Sequence, residues 1–278
     1  MKCFEVVKTV LDETYGAVPG KEPARDASIK KALAAMSEQY TNNLMTDGGP
    51  DFNDAATRFG YVYQHVPAHA YWLYLLLEKC PEAIAVLEKG KARITCIGGG
   101  PGSEIVGFLK LLDEREIKCK LFCELIDGCD AWKATWDDLA YQLDLDEALH
   151  TTYVIHDVGN KATWSSPSQI SKADIIVLSF FVSEIYHLPT AKEYLTKMLI
   201  SAKSGALLLI NDNRTKIVYE LVDAIATKAG FSLLASDEGK EKIWDSGEDK
   251  DMLKKYTAKF GTSTKLTGQI AWRTFQKD

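Results

Sequence analysis

The chain has 278 residues, 46% hydrophobic and 26% charged, an ordinary balance for a folded protein and a length that buries a core without staples. A net charge of −6 and a pI near 5.5 argue against a nucleic-acid binder with a broad basic face, and no apolar stretch is long enough to span a bilayer. The six cysteines form no C-x-x-C pair, so no metal site is expected; Cys96 and Cys123 fall in apolar runs, which reads as buried thiols in a reducing compartment.

The N-terminal apolar run is short and is broken by Glu5, Lys8, Asp12 and Glu13, unlike a signal or transit peptide, so a cytoplasmic location is expected. Residues 1–92 read as helical. Val6, Val7, Val10 and Leu11 form one stripe, and Ile29, Ala32, Leu33 and Met36 a second. Gly16, Pro19, Gly20 and Pro23 break the chain between them, and residues 42–53 read as a polar loop. Further helices are expected over Ala55–Tyr63, from Pro67 onward, and after Pro81 up to Gly90.

From residue 93 strands and helices alternate. The strands read as 93–99, 120–127, 151–158, 173–181, 206–212, 231–236 and 269–275. Helices follow at 103–114, 191–203 and 217–230. The expected fold is α/β: a Rossmann-like, seven-stranded, mostly parallel sheet with helices on both faces, plus an N-terminal helical cap. The domain boundary falls between residues 1–92 and 93–278. The last two strands lack an obvious helix between them, so an antiparallel edge is plausible there.

Strand one runs into Gly98-Gly99-Gly100-Pro101-Gly102-Ser103-Glu104, and a helix follows at once. Such a turn, at the carboxyl end of the first strand, is where doubly wound sheets bind ligands. The dinucleotide pattern G-x-G-x-x-G fails, since counting from Gly98 puts Ser103 at its third glycine, and no Gly-Lys-Ser/Thr follows as a phosphate loop needs. What remains is Gly98, Gly100 and Gly102 at alternate positions, and a Gly-rich turn without a ligand is the competing interpretation. Strand two ends in Asp127, an acid placed to accept from ribose hydroxyls, with Glu124 as its competitor inside the apolar run.

The glycine turn resembles the first motif of class I S-adenosylmethionine-dependent methyltransferases. The resemblance covers about residues 93–212 and implies S-adenosyl-L-methionine as cofactor. It implies a cofactor site at Gly98, Gly99, Gly100, Gly102, Glu104 and Asp127, with Asp157 and Val158 at the adenine and Ser179 and Phe180 under the transferred methyl group. The D/N-P-P-Y/F signature and the Pro-Cys pair of other methyltransferases are absent, so no acceptor chemistry follows. Candidate proton acceptors are His187, Glu184, His69 and His65. The aromatic run Arg58–Trp72 reads as a lid, with Tyr61, Tyr63 and His69 facing the acceptor, or as rings that only pack the cap onto the sheet. Three functions remain open: a methyltransferase acting on a small molecule, which the acidic charge favours; an RNA methyltransferase, which the Ser179-x-x-x-Ser183-Glu184 run faintly resembles; and a scaffold that keeps the fold without catalysis.

Overall fold

A computed structural model describes residues 1–42, 49–143, 148–164, 170–243, 248 and 250–278. Of the polar loop expected at 42–53, residues 43–48 lie outside these. The sheet has seven strands: β1 (Lys91–Ile97), β2 (Lys120–Asp127), β3 (Leu149–Ile155), β4 (Ile175–Ser179), β5 (Leu207–Asn213), β6 (Phe231–Lys242) and β7 (Thr267–Lys277). Their order is β3-β2-β1-β4-β5-β7-β6; β7 runs antiparallel to both neighbours and the other pairs are parallel. The order reverses between β1 and β4, which opens a crevice at their carboxyl ends.

Alternation along the strands divides the core in two. Ile94, Cys96, Leu121, Leu125, Ile175, Val177, Leu207 and Leu209 belong to one buried cluster, and Ile97, Ile126, Ile176, Leu178, Leu208 and Ile210 to the other. On the first face lie α6 (Ser103–Glu114) and α7 (Ala131–Leu143) together with the N-terminal helices α1 (Cys3–Ala17), α2 (Glu22–Asn42), α3 (Ala55–Gln64), α4 (Val66–Glu78) and α5 (Pro81–Leu87). Cys3, Phe4, Leu33, Phe59 and Leu73 share the cluster of that sheet face, so the N-terminal helices and the sheet form one core. The opposite face carries the short α8 (Val182–Ile185) with α9 (Ala191–Ile200) and α10 (Lys216–Lys228).

Local chemistry accounts for the helix ends. Asp54 caps α3 by accepting from the Thr57 N–H at 2.9 Å. Pro67 sits in the first turn of α4 and Pro81 opens α5, where a missing N–H costs nothing. Pro23 likewise falls in the first turn of α2 and does not break it. A buried ion pair, Lys110 to Glu248 at 3.1 Å, joins α6 to the segment before α11 (Lys254–Phe260), and Glu248 also accepts from the Phe4 N–H of α1.

Several boundaries differ from the sequence reading; β6, for one, runs on to Lys242. β4 stops at Ser179, because Phe180 takes a left-handed φ of +51° that turns the chain out of the sheet. β3 stops at Ile155, because Asp157 starts a turn in which its Oδ1 accepts from the Gly159 N–H at 2.8 Å. The link between β6 and β7 contains α11, whose apolar face is only Tyr256 and Phe260 among lysines.

Candidate functional site

The turn after β1 is held by glycines for reasons of space as well as φ. Gly98 has φ +74°, and a Cβ there would lie 2.1 Å from the Phe181 ring. Gly102 has φ +85°, and its Cβ would lie 2.2 Å from Trp136 of α7. Between them the Gly100 N–H donates to Asp127 Oδ2 at 2.9 Å, while Asp127 Oδ1 accepts from the Cys129 N–H at 2.9 Å. The strand-two carboxylate is thus fixed against the glycine turn. Burial pushes its pKa up, and the backbone N–H groups hold it back.

A narrow cleft of about 90 Å³ lies on this turn. It gathers Gly98, Gly99, Gly100, Glu104, Asp127, Ser179, Phe180, Glu184 and Tyr61, all singled out from the sequence. The sequence reading missed Phe52, Trp132 and Phe181, which line it too. Phe52 stands against Trp132 and Tyr61, with ring centroids 4.9 and 5.2 Å apart. Glu104 is buried in the first turn of α6, and burial lifts its pKa to about 8.

Beyond the cleft lies a second cavity of about 360 Å³, lined by Tyr40, His65, His69, Asn213 and Lys265 among others. Phe180 and Glu184 line both spaces and form the wall between them. Glu184 Oε1 accepts from the Tyr40 hydroxyl at 3.1 Å; burial first, then the neighbouring Asp127 and Asp212, lifts its pKa to about 8. His69 stacks on Phe180, with ring centroids 3.8 Å apart and planes 7° apart. His65 is held near pKa 3 and His69 well below its ordinary value, chiefly by burial, so both rings are neutral near pH 7. Their Nε2 atoms are buried without a partner, as are Ser179 Oγ and both side-chain polar atoms of Asn211 beneath them on the sheet. At the end of β5, Asp212 accepts from the Ser183 and Asn213 N–H groups at 3.0 and 2.7 Å.

Several expected residues lie elsewhere. Gly102 caps α6 and packs on Trp136, outside the cleft lining. Tyr63 follows Tyr61 by two residues, roughly 200° around a helix, so it faces the other way. Its hydroxyl donates to the Thr262 carbonyl at 2.6 Å, deep in the core. His187 lies beside Tyr186 and outside both linings. Asp157 is exposed at the sheet edge next to Gly128, while Val158 is buried in the second core cluster; neither lines the cleft. His156 is buried against the Tyr194 hydroxyl at 3.3 Å. Glu124 alternates to the other sheet face and lines a shallow pocket with Arg93 and His150.

A scan against protein families finds no match, and a search of curated proteins finds none. Among solved structures the chain is similar to a Pyrococcus horikoshii protein proposed to be an RNA methyltransferase (15% identity, 77% of this chain and 87% of that one, TM-score 0.47). It is similar to a SAM-dependent methyltransferase from Methanosarcina mazei (11%, 70% and 96%, 0.44). It is also similar to the N-methyltransferase NodS from Bradyrhizobium japonicum, solved with S-adenosyl-L-homocysteine (12%, 77% and 88%, 0.44). The chain's own sheet is Rossmann-like and mostly parallel, with β7 inserted antiparallel between β5 and β6. No helix among the described residues is long and apolar enough to cross a membrane.

Proposed function

We propose that the chain is an S-adenosylmethionine-dependent methyltransferase acting on a small molecule. The observation that carries this reading is the wall of Phe180 and Glu184, which separates the glycine-turn cleft from the 360 Å³ cavity. Two ligand spaces meeting at a single carboxyl suit a transfer between a bound donor and a bound acceptor.

The donor set at the cleft fits the cofactor. Asp127 keeps oxygen lone pairs for ribose hydroxyls after accepting its two backbone N–H groups, and the glycine turn brings bare backbone to the ligand. Room is short, since ordinary ligand pockets hold roughly 300–1,000 Å³. In this reading Phe52, Tyr61 and Phe181 turn aside to admit it.

The cofactor supplies a methyl group on a sulfonium, whose C–S bond electrons leave with sulfur. Phe180 and Glu184 would then position the acceptor N or O for in-line attack, and the Glu184 carboxylate would take the proton the acceptor loses. A pKa near 8 suits that work, since a base is most effective close to the working pH. An RNA acceptor would need a basic trough beside the methyl group. The cleft carries Glu104, Asp127 and Glu184 there, and the neighbouring cavity is of metabolite size.

Calorimetry with S-adenosyl-L-homocysteine and with NAD tests the cofactor; binding of NAD alone would overturn the reading. With radiolabelled methyl donor, label is expected in a small-molecule extract and not in total RNA. Glu184→Gln should then lower turnover by roughly 10²–10⁴-fold and remove the inflection near pH 8 from the rate profile.

A further inference from the structure

We infer that the methyl acceptor is a small organic acid whose carboxylate is held by Lys265, and that it reaches the site from the side opposite the glycine turn. This rests on the methyl-transfer reading and adds the chemical class and the route of the acceptor.

The spaces form a row. The 360 Å³ cavity shares Phe180 and Glu184 with the glycine-turn cleft at one end. At the other it shares Tyr40, His65 and Lys265 with an outer cavity of about 480 Å³ between α2 and the segment before β7. A molecule passing from the outer cavity to the Glu184 wall must therefore pass Lys265. The main chain is anchored here, because the Lys265 backbone N–H donates to the Gln64 carbonyl at the end of α3 at 2.9 Å.

The charge at this point lacks an answer. The Lys265 ammonium stands over the rings of Trp72 and Phe180, at 5.4 and 5.6 Å from their centroids. Among the described residues no carboxylate lies within ion-pair distance of it, and a half-buried ammonium without a counter-ion favours binding of an anion. The other charged groups leave that demand unmet. Burial lowers the pKa of Lys265, and Asp212 offsets this only in part from a distance, while its oxygens accept from Ser183 and Asn213. Arg214, on the cavity rim, pairs with Glu238 at 3.2 Å. His65 and His69 are neutral, so neither imidazole adds a competing charge beside Lys265.

The unpaired polar atoms point the same way. His65 and His69 line the cavity, each is over nine-tenths buried, and neither Nε2 has a partner. The Tyr61 hydroxyl lies 3.5 Å from His69 Nδ1; when it donates there, the ring proton sits on Nε2 as a free donor. An ammonium with imidazole N–H groups nearby is a donor set for a carboxylate. Since Lys265 reaches the ring of Phe180, which itself walls the cleft, the acid's nucleophilic N or O would stand only a few bonds from its carboxylate.

The test uses the full chain saturated with S-adenosyl-L-homocysteine, and ligand-observed NMR titrations of 4-hydroxybenzoate, 4-aminobenzoate and N-methylglycine against their carboxamides. At least one acid should bind about tenfold more tightly than its amide, with a preference that shrinks as salt rises. Lys265→Met should abolish the preference and Lys265→Arg keep most of it, with homocysteine-cofactor affinity unchanged in both. Equal binding of acids and amides, binding of no acid, or an unchanged preference in Lys265→Met overturns the proposal. If Lys265→Met does not fold, the acid–amide difference and its salt dependence in the unsubstituted chain decide alone. Failure of S-adenosyl-L-homocysteine to bind would instead strike the methyl-transfer reading, and the same titrations on the unliganded chain would still judge Lys265.

Discussion

His69 and Phe180 lie face to face at 3.8 Å, although residue 180 must hold a φ of +51° to put its ring there. A side chain in left-handed backbone costs roughly 1–2 kcal/mol, which the stack and the burial of the ring offset. The strained residue is also the one that ends β4 and walls both cavities.

That relationship sets an order of stabilities. Phe180→Ala loses the ring and keeps the backbone strain, so it should cost about 3–5 kcal/mol. Phe180→Gly loses the same ring and releases the strain, and should be more stable than the alanine variant by about 1 kcal/mol. Urea unfolding midpoints at equal slope measure the difference. An alanine variant as stable as the glycine one would show that the left-handed backbone carries no strain.

Asp127 and Glu124 give a second comparison. Asp127 meets the glycine turn, whereas Glu124 lies on the other sheet face beside Arg93. Asp127→Ala should weaken S-adenosyl-L-homocysteine binding by about 1.5–3 kcal/mol, and Glu124→Ala should leave it nearly unchanged. Calorimetry on both variants reads this directly; a larger loss in Glu124→Ala would move the ribose site off Asp127.

The glycine turn and its acid were legible because their chemistry is local. A run of seven residues encodes the turn, and strand alternation already places Asp127 and Glu124 on opposite faces. The acceptor side was much less legible. Tyr40 meets Glu184 across 144 residues of sequence, and Lys265 comes from a loop without periodicity. Phe52 lies in a polar stretch where nothing marks its ring for the cleft. Helix α11 escaped notice because Lys254, Lys255 and Lys259 surround its two apolar residues. Tyr63 was grouped with Tyr61 by proximity in sequence, which a helix does not respect.

Glu104 links burial to pH. Its folded pKa of about 8 lies above the ordinary carboxyl value of 4.5, so its neutral form is the one the fold tolerates. The stability this represents is present in full below about pH 4.5 and is lost as pH rises toward 8. Glu104→Gln removes the titration. The variant should therefore gain on the unsubstituted chain by up to about 1.4 kcal/mol per pH unit across that window, with little change below it. Thermal unfolding at pH 4.5, 6, 7 and 8.5 measures the gap. A gap that does not widen with pH would show that Glu104 is ionised in the fold at little cost.

The cap supplies the last prediction. Phe52 and Tyr61 come from the N-terminal helical region, yet they line the cleft on the glycine turn and pack on Trp132 of α7. The cleft has only about 90 Å³ free, so a cofactor at Asp127 must displace these rings or draw them over itself. Either way its binding is coupled to α3 and the start of α4, which carry Tyr61, His65 and His69. If the rings close over the ligand, they exclude water from the methyl donor. Amide exchange across Arg58–Tyr71 should then slow when S-adenosyl-L-homocysteine is added, together with protection at residues 97–104 and 127. Phe52→Ala should leave the protection at the glycine turn and weaken that across α3. Protection confined to the turn in the unsubstituted chain would mean that the aromatic run only packs the cap, and Tyr61 and His69 would leave the site.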